Sequence, residues 1–223
     1  FKTQMTPIKI TFIITGLGTG GAETMLLKLL GRMDRRVFEP IVISLTEGGE
    51  LAGRIQALDI AVHFAGMRRR SIPIIGMVRL IRLVRALKPD IVQGWMYHAN
   101  LTAQICSIFL SKKTPVLWNI RQTSTDLSIE PKYTAMAIWL GAKISRFSTR
   151  IINNSKVSAA LHEQKLGYSP EKSVIIPNGF DTGLFKPSPD ARLRLRAELG
   201  LPENSLLIGL VGRYHPMKDH ENF

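Results

Sequence analysis

Apolar residues along this chain alternate between two textures. Short, nearly unbroken runs at Lys9–Ile14, Phe38–Leu45, Ala61–Met67, Asp90–Trp95, Pro115–Ile120, Arg150–Ser155 and Ser173–Pro177 have the length and β-branched content of buried strands. Between them apolar positions recur every three or four residues. That spacing predicts helices over Ala22–Arg32, Glu50–Leu58, Ile72–Leu87, Ala99–Leu110, Tyr133–Phe147 and Lys156–Lys165, with Pro89 ending the third. Strands separated by helices predict the α/β class: a Rossmann-like, doubly wound, mainly parallel sheet with helices on both faces.

The pattern changes after Pro177-Asn178-Gly179. Phe185-Lys186-Pro187-Ser188-Pro189 reads as a linker, Asp190–Leu199 as a short charged helix closed by Gly200, and Leu206–Gly212 as a further buried strand. A parallel strand needs neighbours and crossover helices to bury both faces. The expected organisation is therefore an α/β domain over residues 1–186, a linker and helix over 187–205, and over 206–223 the first strand and turn of a second domain that ends unfinished.

Composition adds the sign of the partner. The 223 residues carry 30 Lys+Arg against 17 Asp+Glu, a formal net charge of +13. Such a surface suits nucleic acid, an anionic membrane or a phosphorylated substrate. Cys106 is the only cysteine, which excludes an intrachain disulfide and a cysteine-based metal site, and it reads as a small buried residue on a helix. No apolar run approaches the ~18 residues of a membrane span. Lys9–Ile14 is too short for a signal-peptide core, so the expected location is cytoplasmic.

The densest charge lies between Arg68 and Lys88, where seven basic residues are accompanied by no acid. On the helix in this stretch Met77, Leu80, Leu83, Val84 and Leu87 share one face, and Arg79, Arg82 and Arg85 take the other, with Ile75 and Val78 among them. One reading is a core-packed helix with a solvated basic side. The other is that Arg68, Arg69, Arg70, Arg79, Arg82 and Arg85 form a surface for an anionic membrane, with Tyr133–Arg150 (Met136, Trp139, Lys143, Arg146) as a second contact or as core. The arginines are not interleaved with aromatics as a nucleic-acid stacking platform requires, so nucleic acid is not the expected partner.

Gly16-Leu17-Gly18-Thr19-Gly20-Gly21 stands between the first strand and the first helix and fits Gly-x-Gly-x-x-Gly. Glycines there let backbone N–H groups approach a phosphate at the helix N-terminus. A nicotinamide or flavin site also needs an acidic residue closing the second strand to hold the ribose. That strand ends Ile43-Ser44-Leu45-Thr46, with Glu47 beyond it, which weakens an NAD- or FAD-dependent oxidoreductase as the rival reading. His98 follows the Asp90–Trp95 run at the carboxyl edge of the sheet and is a candidate cleft residue. His162, Trp95 and Trp118 read as core or helix-face residues.

Four segments taken together carry a resemblance. Gly20-Gly21-Ala22-Glu23, Ile151-Ile152-Asn153-Asn154-Ser155, Val174-Ile175-Ile176-Pro177-Asn178-Gly179-Phe180-Asp181 and Val211-Gly212-Arg213-Tyr214-His215-Pro216-Met217-Lys218 look like the landmarks of glycosyltransferase family 4, in order and spacing, from about residue 9 to the last residue. The resemblance implies the N-terminal half of a GT-B fold, in which two Rossmann-like domains face a cleft. It implies a retaining transfer of sugar from a nucleotide sugar, most simply a UDP- or GDP-sugar, to a lipid-linked or other glycan acceptor, with no cofactor and no metal. Arg213 and Lys218 match the residues that clasp the donor diphosphate, and the loop with Gly18, Gly20 and Gly21 faces the same cleft. The family's paired glutamates for ribose and donor sugar are expected beyond Phe223. Many members carry a His after the fifth strand; here the segment reads Trp118-Asn119-Ile120-Arg121-Gln122-Thr123-Ser124, so Gln122 or its neighbour Arg121 stands in that place, with His98 as the other candidate. Peripheral attachment at the inner face of the cell membrane accompanies the lipid-linked acceptor, and Asn178-Gly179 falls at the interdomain crossover.

Overall fold

The computed structural model describes residues 6–67, 74–110, 112–123, 127–212, 214 and 219–223. They form two compact units, which divide between Asn178 and Gly179. The first holds a seven-stranded sheet made of β1 (Ile8–Ile14), β2 (Phe38–Ser44), β3 (Val62–Phe64), β4 (Ile91–Trp95), β5 (Val116–Ile120), β6 (Arg150–Asn153) and β7 (Ser173–Ile175). The order across the sheet is β3-β2-β1-β4-β5-β6-β7, and every pair is parallel. The connecting helices are α1 (Gly21–Arg32), α2 (Glu50–Gln56), α3 (Ile74–Leu87), α4 (Tyr97–Ile108), α5 (Lys132–Ile144) and α6 (Lys156–Gln164). This is the doubly wound, Rossmann-like α/β class expected from the alternation of textures.

The side-chain period of two splits the core into two halves. On one face Ile10, Phe12 and Ile14 of β1 with Trp95 of β4 pack against Leu26, Leu27 and Leu30 of α1 and Leu51 and Ile55 of α2. On the other, Ile13, Val92, Val116, Trp118 and Ile151 pack against Leu80 and Val84 of α3, Ala99, Ala103 and Cys106 of α4, and Ala137 and Ile138 of α5. Burial pushes the Cys106 thiol up to about 12, so it is an inert packing group. His162, Trp95 and Trp118 are buried as well.

The chain runs outward from β1 through β2 to β3, then α3 carries it back across to β4 on the other side of β1. Winding direction therefore reverses between β1 and β4, the point at which doubly wound sheets offer a crevice at the carboxyl ends of their strands. Helix α4 begins at once after β4 and lies close on it: a Cβ at Gly94 would stand 2.5 Å from Asn100 Cα and 2.8 Å from the Ala99 carbonyl oxygen. Asn100 uses that closeness to tie in β5, accepting from the Asn119 amide at 3.2 Å and donating to the Asn119 carbonyl at 3.4 Å.

The second unit contains α7 (Pro189–Glu198), capped by the Ser188 hydroxyl, which accepts from the Ala191 amide. Arg196 is buried there and donates to the Ser205 carbonyl at 2.8 Å. Leu206–Gly212, expected as a buried strand, is not one. Leu206, Ile208 and Val211 are 84%, 74% and 100% exposed, and no strand among the described residues pairs with the segment. Apolar, β-branched residues make a strand only when a neighbouring ladder takes up their backbone groups. At the other margins, the expected start of α3 at Ile72 lies outside the described residues. β3 is regular only over Val62–Phe64, although Ala65 and Met67 still donate to the Ser44 and Leu45 carbonyls.

Two glycine substitutions should move stability in opposite directions. Gly94→Ala, where backbone blocks the new methyl, is expected to destabilise the fold by about 2–3 kcal/mol. Gly53→Ala, inside α2 with nothing within 4 Å of its methyl position, is expected to stabilise it by roughly 0.5–1 kcal/mol. Urea denaturation of the two variants checks both signs.

Candidate active site

The loop after β1 is held from below and open above. Leu17 is buried, its carbonyl accepts from the Leu51 amide at 3.0 Å, and Gly49 passes so close that a Cβ there would lie 2.4 Å from that carbonyl. Gly49 also has φ 117°, which a larger residue would hold only under strain. Above this anchor Gly18 and Gly21 are exposed, with nothing within 4 Å of where their side chains would be. Gly20 caps α1 with extended backbone and no side-chain hydrogen bond. The α1 N-terminus is not bare, however. The Glu23 carboxylate folds over Gly20, where a Cβ would collide with it, so an anion reaching this helix end meets a carboxylate already in the field of the dipole.

Trp95, the last residue of β4, lies fully buried beneath this point of reversed winding. Its indole N–H donates to the Ala22 carbonyl at 2.9 Å, and its ring meets Phe12 edge-on with centroids 6.3 Å apart. The Arg121 guanidinium, arriving from the end of β5, sits over the same indole at 4.7 Å from the ring centroid. Arg121 Nη1 donates to Asn178 Oδ1, while its Nε is buried without a partner. Burial lowers the Arg121 pKa, but a guanidinium remains charged at any ordinary pH. The result is a half-buried cation on an aromatic platform, its Nε buried without a partner, close to the place where winding reverses.

Met96 links Trp95 to α4. Its backbone has φ 74° and ψ 171°, a region that glycine normally occupies and that costs a larger residue about 1–3 kcal/mol. It is held there by packing against both halves of the core and by its amide donating to the Asn119 carbonyl at 2.9 Å. α4 thus starts at the crevice with no side-chain cap. His98, its second residue, is partly buried; burial pulls its pKa below the usual value while a hydrogen bond with the Tyr133 main chain opposes that. Gln122 is engaged at both ends, its side-chain amide donating to Glu130 and its main-chain carbonyl accepting from the Ser158 hydroxyl at 2.8 Å.

Behind these residues lies a buried polar chain. His162 Nδ1 is 2.8 Å from the Ser158 carbonyl, and its Nε2 is 2.9 Å from the Tyr97 hydroxyl. A carbonyl only accepts, so in the neutral ring Nδ1 carries the proton and Tyr97 donates to Nε2. Desolvation lowers the pKa of His162, outweighing its hydrogen bond to Ser158 and the charge of Glu163.

The structure thus brings Arg121, the glycine loop and Asn178 to one edge of the sheet, joined through Trp95. Arg79, Arg82 and Arg85 lie apart from them, exposed along α3. Arg68, Arg69, Arg70, Arg213 and Lys218 lie outside the described residues. The described residues contain no group of three or more His, Cys, Asp or Glu arranged to hold a metal ion. The sequence reading missed Met96 and the pairing of Arg121 with Asn178. Asn178-Gly179 was visible as a turn, but nothing in the order of residues marks the side chain it meets.

Comparison with known proteins defines the class. The profile of Glycosyltransferase Family 4 matches residues 19–184. The chain belongs to that family. It is 24% identical over 219 residues to the protein named putative glycosyltransferase EpsF of Bacillus subtilis, covering 95% of this chain and 56% of that one. A D-inositol 3-phosphate glycosyltransferase of Segniliparus rotundus is 37% identical over 71 residues, 32% of this chain and 15% of that protein. Among solved structures, Anabaena Alr3699/HepE in complex with UDP-glucose superposes with a TM-score of 0.74 at 22% identity, covering 96% of this chain and 55% of that one. The chain spans about half the length of EpsF and of the Anabaena protein. A UDP-N-acetylglucosamine 2-epimerase from Rickettsia bellii also shares the fold, with a TM-score of 0.54 at 13% identity. The seven-stranded domain is that of the N-terminal half of a GT-B fold, and membership of the family rests on the sequence match rather than on the fold.

The lowered pKa values of His98 and His162 set a pH dependence. In the unfolded chain both groups take up a proton near pH 6.5, whereas the folded chain holds them neutral to lower pH. Stability should be level above about pH 7 and fall as pH drops through the unfolded value. His162→Gln should be less stable than the parent at pH 7 but lose less between pH 7 and pH 5, as read from urea titrations at both pH values.

Proposed function

We propose that this chain supplies the acceptor-side domain of a retaining glycosyltransferase that takes its sugar from a UDP- or GDP-sugar without a bound metal. The observation that carries the reading is Arg121 on Trp95, a half-buried cation at the carboxyl edge of the sheet that also carries the exposed Gly18 and Gly21. Breaking the bond between sugar and diphosphate builds negative charge on the leaving oxygen, and fixed cations and N–H donors nearby stabilise the transition state more than the ground state. Family resemblance assigns Arg213 and Lys218, and likewise Gly18, Gly20 and Gly21, to the donor diphosphate. UDP in the Anabaena structures supports a nucleotide-sugar donor. For the acceptor proton two routes are open to these residues. Neutral His98 is a base at the right edge, whereas Gln122 orients a hydroxyl but takes no proton at neutral pH, leaving the departing phosphate oxygen to accept it.

The acceptor is assigned to the class of lipid-linked molecules at an anionic membrane, reached from the cytoplasmic side. Helices α3, α4 and α5 form one layer, and their sequences contain no Asp or Glu. The layer exposes Ile74, Ile75 and Val78 on α3, Ile108 on α4, and Tyr133, Met136 and Trp139 on α5. Arg79, Arg82, Arg85 and Lys143 lie among them, the last over the Trp139 ring. Apolar side chains with cations among them suit a bilayer of negative headgroups, where each cation contributes about 1 kcal/mol.

Two measurements test this reading. The chain alone should bind UDP-glucose too weakly for micromolar affinity in calorimetry and should transfer no sugar, while in the full-length protein Arg121→Ala should lower kcat/KM by about 100-fold. Micromolar binding or turnover by the chain alone contradicts the domain assignment. In vesicle co-sedimentation the chain should prefer phosphatidylglycerol to phosphatidylcholine, and Ile75→Asp with Arg82→Glu should lower that binding at least about tenfold. Equal binding to both lipids removes the membrane assignment.

A further inference from the structure

His162 is 1% exposed, belongs to none of the groups assigned to donor or acceptor, and yet fills all its hydrogen-bonding capacity. What it joins is informative. Tyr97 is the first residue of α4, directly between the strained Met96 and His98. Ser158, one turn before His162 on α6, hands the connection on, because its hydroxyl donates to the Gln122 carbonyl. The path therefore runs from the loop after β4, through the helix after β6, to the loop after β5, joining three carboxyl-edge segments that are far apart in sequence. Tyr97 and His162 are 65 positions apart, and Ser158 and Gln122 are 36. All three bridging side chains are buried, and Tyr168 closes the ring edge-on at 5.3 Å from His162.

We propose that His162 is a positioning residue for the transfer reaction, holding the exit of β5 and the start of α4 in register so that Arg121, Gln122 and His98 face the crevice together. The inference rests on the reading of that crevice as the transfer site. The geometry carries it in three steps. Ser158 holds the carbonyl of the Gln122–Thr123 peptide, which restrains the chain immediately after Arg121 where it leaves β5. Ser158 is fixed in turn by its place in α6, whose rotation is locked when His162 reaches Tyr97. Tyr97 orients the first turn of α4 and with it His98. A buried histidine serves this purpose better than a purely apolar contact, because hydrogen bonds at both ring nitrogens admit only one ring orientation.

The test uses Tyr97→Phe, His162→Gln and Ser158→Ala in the full-length protein, with Val84→Ala on α3 as a control for lost stability. Peptide-level hydrogen exchange over residues 121–123 reads the positioning directly, and steady-state kinetics with the nucleotide sugar reads its consequence. The three variants should exchange about tenfold faster in that segment and lose about tenfold in kcat with KM within about twofold, since a misplaced group costs transition-state rather than ground-state contacts. Val84→Ala, at a comparable loss of Tm, should do neither. Unchanged exchange in the three variants, or an equal kcat loss in Val84→Ala, overturns the inference. Absence of transfer by the unsubstituted full-length protein overturns instead the assignment of the crevice to sugar transfer, and the exchange result then decides whether His162 orders the β5 exit.

Discussion

The indole of Trp95 occupies the last position of the central strand β4, where the sheet reverses its winding, and four parts of the domain meet on it. Its N–H takes the Ala22 carbonyl in the first turn of α1, its edge meets Phe12 on β1, its backbone continues into the strained Met96, and its face carries Arg121 from β5. A smaller residue here would leave α1 without that tie, open a void under the crevice and remove the surface on which Arg121 is held. The crevice of a doubly wound sheet is a gap between diverging loops. In this chain a buried aromatic ring lies beneath that gap with a cation against its face.

The family match and the geometry answer different questions. The fold is shared with a UDP-N-acetylglucosamine 2-epimerase, so seven parallel strands and their helices do not by themselves specify a chemistry. What separates chemistries on such a scaffold is which side chains reach the edge and what holds them there. Here the edge has one charged group on a platform, one glutamine engaged at both ends and one histidine kept neutral by burial.

Most of the sheet was legible in the sequence because burial on both faces forces strands such as Lys9–Ile14 and Asp90–Trp95 to be apolar throughout, and the helices between them must show one apolar side. The same logic failed at Leu206–Gly212, where the composition of a buried strand is present but no ladder among the described residues receives it. Periodicity reports what a segment could pair with, not whether the partner is there. The candidate site was legible only in part. Arg121, Gln122 and the glycine loop were marked by their position after strands. The Asn178 contact, 57 positions from Arg121, depends on the register of β5, β6 and β7. Met96 gave no signal at all, since its backbone conformation is held by packing against both core halves and by the Asn119 carbonyl rather than by its own chemistry. His162 was read as a core residue, and it is one; its polar connections appear only when α4 and α6 are side by side.

The two helical layers differ in charge texture, and this has a consequence at a distance. Cations on α1 and α2 are mixed with Glu23 and Glu50, whereas those on α3 and α5 are opposed by no carboxylate within their own helices. Between these two helical layers the domain is therefore unevenly charged, more positive on the side of α3 and α5. Approaching any negatively charged plane, it would experience a torque before contact, felt over a Debye length of about 8 Å at physiological salt. The carboxyl edge of the sheet, which runs along the rim of that face, would then arrive side-on to the plane instead of pressed against it, leaving the crevice open to small molecules from solution.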